Sequence, residues 1–263
     1  LFIAVFNWGV AGAAIATGLS QCVGGVLPLI YFLRPNSSLL RLRPTALRLR
    51  PILQACGNGS SELMSSISSS LVGMLYNFQL LRLIGEDGVS AYGVLMYVQF
   101  IFVAIFIGYS IGCAPVVSFH YGAGNQNELK SLLRKSVLLM GLGGVALTAA
   151  AMLLASPLAK LFVGYDADLY ALTTHAFRLF SWSFLLAGFN IFASGFFTAL
   201  NNGAVSAIIS FLRTLVFQAG SVIILPLLLD VDGIWYAITS AEIFAFIISC
   251  TFLLAKRNKY HYM

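Results

Sequence analysis

Residues 1–33 contain no charged side chain. A helix rises about 1.5 Å per residue, and about 20 residues cross a hydrocarbon layer, so this run is too long for one straight span. Asn7, Gly9 and Gly12 offer the break. Residues 1–8 read as the end of one helix, and about 12–33 as a complete one. Similar runs recur at about 52–84, 88–118, 134–155, 169–200, 204–229 and 233–255. Soluble domains carry about 25% charged residues. This chain of 263 residues carries 9% against 59% hydrophobic, too few to cover a surface facing water. The expected fold is all-α, a polytopic transmembrane bundle of about seven complete spans plus a truncated one. The chain opens at Leu1 inside an apolar run, and the expectation is that the N-terminal part of a longer protein precedes it.

The formal net charge of +6 would suit nucleic acid, but the charges are distributed as a bilayer demands. Arg34, Arg41, Arg43, Arg48 and Arg50 form one basic connection; Lys130, Arg134 and Lys135 another; Lys256, Arg257 and Lys259 lie at the C-terminus. Between them fall acidic connections with Glu86 and Asp87, Asp166 and Asp168, and Asp230 and Asp232. Basic loops stay in the cytoplasm. The expected topology therefore places the N-terminus outside, the 34–51 linker inside and residues 256–263 as a cytoplasmic tail. Pro35, Pro44 and Pro51 punctuate that linker. The bilayer is the expected partner, with no nucleic acid, in a plasma-membrane protein that is a monomer.

Cys22, Cys56, Cys113 and Cys250 lie in apolar stretches without ligand spacing and read as small buried hydrophobes. Gly108 and Gly112 form a GxxxG, expected to pack closely, with Pro115 a further source of bending. There is no zinc spacing, phosphate loop or nucleophile triad, so the chain does not read as an enzyme, and no cofactor is expected.

Chemistry concentrates in polar stripes within the spans. Glu62, Ser66, Ser69, Gly73 and Asn77 recur at spacings of 3 and 4 on one helix face, opposite Leu63, Ile67, Leu71, Met74 and Phe78. Small polar residues also serve helix packing, so the serines alone fit either role. Glu62 tips the balance. It lies eleven residues past Pro51, about 16 Å along a helix. An acid at that depth costs at least about 2.5 kcal/mol and demands a partner or a wet cavity. Glu242 is the second intramembrane acid, on a face with Trp235, Thr239, Phe246 and Ser249. Aromatic rings beside a carboxylate suit an organic cation. The competing reading is an acid satisfied by Arg213, whose own face carries Ser206, Ser210, Phe217 and Gly220. His175 and Arg178 are weaker candidates near an interface, and Asn190, Ser194 and Thr198 form a mild polar face. Aligning Gly12 with Gly233 pairs Ala16 with Ala237 and Gln21 with Glu242, a faint internal repeat of a kind common in transporters.

Six stretches carry a family resemblance: "GVAGAAIATGLSQ" (9–21), "NGSSELM" (58–64), "GVSAYGVLMYVQF" (88–100), "GCAPVVSFHYGAGN" (112–125), "GFFTALNNG" (195–203) and "SFLRTLVF" (210–217). In this order they resemble the C-terminal two-thirds of the multidrug and toxic compound extrusion (MATE) family. The resemblance implies a two-lobed, twelve-helix antiporter that exports organic cations against a proton or sodium gradient. On that map residues 1–33 end the N-terminal lobe, 34–51 is the interlobe linker and 52–255 is the C-terminal six-helix lobe. It places Glu62 on the first helix of that lobe, facing the central cavity. Two departures leave the coupling ion, H+ or Na+, open. The 169–200 span has no acid where some members use one for sodium. The first helix of the N-terminal lobe, where others couple protons through an acid, is not in this chain. His120 also stands where the family usually has Asn.

Two other classes compete. A flippase for a lipid-linked precursor would want Arg and Lys in its cavity, whereas two acids here face one Arg213. A seven-helix receptor or retinal protein fits the topology, but the retinal reading needs a Lys deep in a span, and none is found. The charge pattern predicts that cysteines placed at Ser38 and Asp168 label from opposite sides of the membrane. Labelling from the same side overturns the topology.

Overall fold

The computed structural model describes residues 2, 6, 8–34 and 48–262. Most of the 1–8 stub and of the 34–51 linker lies outside the described residues. Contacts divide the chain into two units, Leu1–Leu49 and Arg50–Met263.

In the first unit, helix α1 spans Gly9–Leu33 with Pro28 inside it. The Trp8 ring lies 5.5 Å from those of both Phe2 and Phe6. A side chain at Gly12 would put its Cβ 2.9 Å from that of Trp8, so glycine is what lets the chain double back there. Nearly every other side chain of α1 is exposed, as suits a helix whose solvent is lipid.

The second unit is an antiparallel bundle. Helices α2 (Leu49–Leu83), α3 (Glu86–Gly122) and α4 (Gln126–Val163) are followed by α5 (Ala167–Phe180) and α6 (Phe184–Ala199), joined through a 3-10 turn at Ser181–Ser183. Next come α7 (Gly203–Phe211), a π-helical segment (Leu212–Phe217), α8 (Gln218–Ile224) and α9 (Pro226–Tyr260). Counting α5–α6 and α7–α8 as single rods gives seven among the described residues. Six have the length and apolar character to cross a membrane; α2, rich in serine, is the seventh. The expected 204–229 and 233–255 spans shift because α9 starts at Pro226 and breaks at Leu229 and Asp230, where the backbone leaves the helix. The final helix continues to Tyr260, past the expected boundary at 255.

Short turns make the reversals. Gly85 (φ 92°) and Gly124 (φ 68°) occupy backbone conformations that side chains resist. Asn125, Asp166 and Asn202 cap the helices that follow by accepting from backbone N–H groups. The bundle has two distinct ends. At one, Asn58 donates to the Thr198 carbonyl, Ser118 to that of Ala199, and the rings of Tyr121 and Tyr260 meet. Lys130, Arg134, Lys135, Lys256, Arg257 and Lys259 belong to this end. At the other, His175 bonds Asp232, Ser156 bonds Tyr170, and the acidic turns gather.

Close packing uses glycine, but not the expected pair. Gly108 and Gly112 face open space. The intimate contacts are made one face over, where Gly188 of α6 lies under the ring of buried Phe106 of α3 and Gly195 meets Ser110. Gly144 of α4 similarly abuts the backbone of Leu185. The cysteines also differ from expectation. Cys22 and Cys56 are exposed and the other two half-buried, because an apolar exterior hides a thiol from water as well as a core does. On α2, both predicted stripes turn outward, and Ser68, Val72, Tyr76 and Leu80 pack inward between them. The inward face is set by Tyr76 stacking on Tyr92 at 4.8 Å.

Leucine at Gly188 would place its Cβ 2.6 Å from the Phe106 ring, which has nowhere to move. Gly188→Leu is expected to lower stability in detergent by about 1–3 kcal/mol, and Gly108→Leu to leave it nearly unchanged. Equal thermal shifts for both variants would refute this packing scheme.

Candidate functional site

Two polar stripes on consecutive helices meet face to face. Asn190, Ser194 and Thr198 recur every four residues on α6, and Ser206 and Ser210 do the same on α7. The short turn at residues 200–202 folds them together. The Ser194 hydroxyl lies 2.8 Å from that of Ser206 and 2.9 Å from that of Ser210. Thr198 donates to Ser206 Oγ at 2.7 Å. A hydroxyl can donate one bond and accept others, so these four link the two helices into one seam.

The seam runs on into a buried ion cluster. Glu242 of α9 is 4% exposed. Arg213 donates from Nη2 to Oε1 at 2.6 Å and from Nε to Oε1 and Oε2 at 2.9 and 3.1 Å. Asn190 donates from Nδ2 to Oε2 at 2.6 Å and to the Glu242 backbone carbonyl at 3.0 Å. A planar guanidinium suits two carboxylate oxygens, and such charge-assisted bonds are the strong ones. Arg213 lies in the π-helical Leu212–Phe217, where the Thr214 hydroxyl donates to the Ser210 carbonyl at 2.6 Å. Widened turns of this kind often mark functional positions.

The other predicted residues divide. Trp235 is 1% exposed and buried in the core, and its Nε1 has no hydrogen-bond partner among the described residues. The Thr239 hydroxyl and Asn190 Oδ1 are likewise buried without partners. Glu62, Ser66, Ser69 and Asn77 are all exposed on α2. No ion pair or hydrogen bond to the Glu62 carboxylate is found among the described residues. Ser69 donates its hydroxyl to the Ser65 carbonyl at 2.8 Å, leaving its oxygen outward as an acceptor. Asn77 borders an open groove with Phe78 and Glu86. Among the described residues no bond links the α2 set to the Glu242 cluster. The sequence offered Arg213 as the partner of Glu242 in the reading that competes with an organic-cation site, and left out Asn190 as the third member. Its signal was the matched four-residue spacing on the two helices. Among the weaker candidates, Arg178 is exposed and His175 is exposed and held 2.8 Å from Asp232.

Removing one member of a buried pair strands the other, at about 3–5 kcal/mol, whereas replacing both by apolar groups is often neutral. Thermal unfolding in detergent should therefore show Arg213→Leu strongly destabilised and Arg213→Leu/Glu242→Leu largely restored. A double variant no better than the single would mean that the pair is not the energetic unit.

Comparison with known proteins supplies the context. The chain is 24% identical over 237 residues to "Multidrug export protein MepA" of Staphylococcus saprophyticus, covering 88% of this chain and 49% of the relative. It is 21% identical to the MepA of Staphylococcus haemolyticus, covering 95% and 55%. The chain thus spans about half the length of the curated relatives it matches. Two solved structures share its fold. One is a crystal structure of MATE in complex with MaL6 (TM-score 0.90, 21% identity, 100% of this chain and 60% of that one). The other is an outward-facing multidrug resistance MATE transporter (TM-score 0.89, 22% identity, 100% and 59%). The MatE family model matches residues 62–223, more than half of the chain, and the chain therefore belongs to the MatE family of multidrug and toxic compound extrusion transporters.

Proposed function

We propose that this chain forms the C-terminal lobe, with the last helix of the N-terminal lobe, of a multi-pass plasma-membrane antiporter that exports organic cations in exchange for protons or sodium. Residues 1–33 end the first lobe, 34–51 link the lobes in the cytoplasm, 52–255 form the second lobe and 256–263 the cytoplasmic tail. The basic end of the bundle faces the cytoplasm, by the retention of basic loops there. The family and the names of the relatives support the transport class.

One observation carries the reading of the site. Glu62 is a carboxylate one turn past the Asn58 contact at the basic end of the bundle, on a 35-residue helix, exposed and unpaired among the described residues. Such an acid is costly in a membrane unless a cavity or a cation meets it. Exposed to water the carboxylate attracts a cation; a cavity that closes over it has to enclose a charge-neutralising proton or sodium ion with it. Ser66, one turn on from Glu62, can offer its hydroxyl oxygen to an ion bound there, and Ser69 and Asn77 continue the polar face further along the helix. The population of the two access states shifts with whichever ligand binds one of them better. Glu242 plays a second part, with Arg213 as its resident cation and Trp235 and Thr239 beside it on α9. A substrate cation gains that acid only by competing with the guanidinium.

The test is dye efflux from proteoliposomes holding the full-length protein under an imposed proton or sodium gradient, beside a dye-binding assay. Glu62→Gln is expected to abolish gradient-driven efflux while retaining part of the binding. Undiminished efflux would remove Glu62 from the mechanism and leave it a surface acid.

A further inference from the structure

A groove of about 480 Å³ opens at the basic end of the bundle between α4, α6 and α9. Lys130 and Arg134 stand at its rim; Val137, Phe189 and Cys250 line it, and Tyr262 closes its end. We infer that this groove binds an anionic phospholipid of the cytoplasmic leaflet, its phosphate between Lys130 and Arg134 and an acyl chain along the apolar wall.

Charge complementarity carries the assignment. Lys130 and Arg134 are four residues apart on α4, so their side chains stand one above the other. Both are exposed, and neither has an acidic partner within ion-pair distance among the described residues. Like charges at this spacing repel, and an anion between them removes the repulsion. Arg257, also exposed, lies one turn past Leu253 and Leu254 of the lining, on the same face of α9. Below this rim the wall is apolar, and Cys250 lies ten residues before Tyr260, about 15 Å down the helix. A basic rim above an apolar trough matches a lipid's own division into headgroup and chain. A free phosphate would use the rim and leave the trough empty.

The groove is built without a ligand. His261 adopts a left-handed conformation (φ 54°, ψ 38°) and turns the chain back after α9. Tyr262 then lies 1% exposed, donates its hydroxyl to the Leu253 carbonyl at 2.9 Å, and meets the Phe196 ring edge-on at 5.3 Å. The closed end is therefore fixed by the fold.

The leaflet rests on the topology proposed above, but binding in detergent does not, so the two can fail separately. Native mass spectrometry of the purified protein, with phosphatidylglycerol and phosphatidylcholine of identical chains, is the experiment. Each basic residue near a lipid phosphate is worth about fivefold, so phosphatidylglycerol should be retained at least about tenfold better. Lys130→Gln/Arg134→Gln should erase that preference, and the charge-preserving Lys130→Arg/Arg134→Lys should keep it. Lys160→Gln, at the other end of α4, should change nothing, and Cys250→Phe, which fills the trough, should lower retention of both lipids. Three results would overturn the inference: a preference that survives the double Gln variant, one lost in the charge-preserving variant, or inorganic phosphate displacing the lipid outright.

Discussion

A carboxylate buried in so apolar a bundle has to be matched oxygen by oxygen, and the matching of Glu242 ties three helices together. Burying an ion costs several kcal/mol unless its charge and lone pairs are met. Arg213 meets the charge and both oxygens from the π-helical segment, and Asn190 meets Oε2 and the adjacent carbonyl from α6. Neither partner can slide along its helix without stranding the acid. The register of α6 against α9, and the entry of α8, are thereby fixed. The hydroxyls of Ser194, Thr198, Ser206 and Ser210 extend the same constraint to the turn at residues 200–202.

The rest of the bundle follows from its solvent. Lipid tails are as apolar as leucine, so large side chains gain nothing by leaving them, and helices associate through small residues and polar bonds. Phe100 and Leu153 are both 79% exposed, while Gly144, Gly188 and Gly195 sit at the helix contacts. Long-range polar bonds such as that of Ser118 to the Ala199 carbonyl hold helices distant in sequence. Charge is sorted along the axis rather than around it, with most basic groups at one end and most acids at the other. Both sorting rules leave outward surfaces whose composition is dictated by a bilayer.

This sorting explains what was legible in the sequence. The rods were plain because uncharged runs of membrane length leave few alternatives, and most connections because charged residues such as Glu86, Asp87, Asp166 and Asp168 fall between those runs. Faces were harder. On α2, two stripes of opposite character both turn outward, because the inward face is chosen by Tyr92 of another helix rather than by polarity. The same cause misdirected the Gly108–Gly112 expectation: a glycine matters only where a neighbour comes close, and the neighbour is Phe106 pressing on Gly188. The Arg213–Glu242 pairing could be foreseen because few partners exist for a buried charge. The π-helical segment could not, since LRTLVF holds no Gly or Pro to announce it.

Glu62 and Glu242 stand in opposite electrostatic situations, and on the proposed reading this bears on how a cation is exchanged. Glu242 already holds a cation, delivered by Arg213 on a widened turn, with Asn190 taking up a remaining lone pair. A visiting cation must displace the guanidinium, and the displaced Arg213 would then need another anion or water. Glu62 has no such occupant among the described residues, and Ser66 stands one turn on along the same face. On the proposed reading, loading or unloading Glu62 breaks no protein bond, so its occupancy follows an ion gradient directly. On the function proposed above, the exchange step belongs at Glu62, and the Glu242 cluster suits the slower, coupled rearrangement of helices that a guanidinium's release would require.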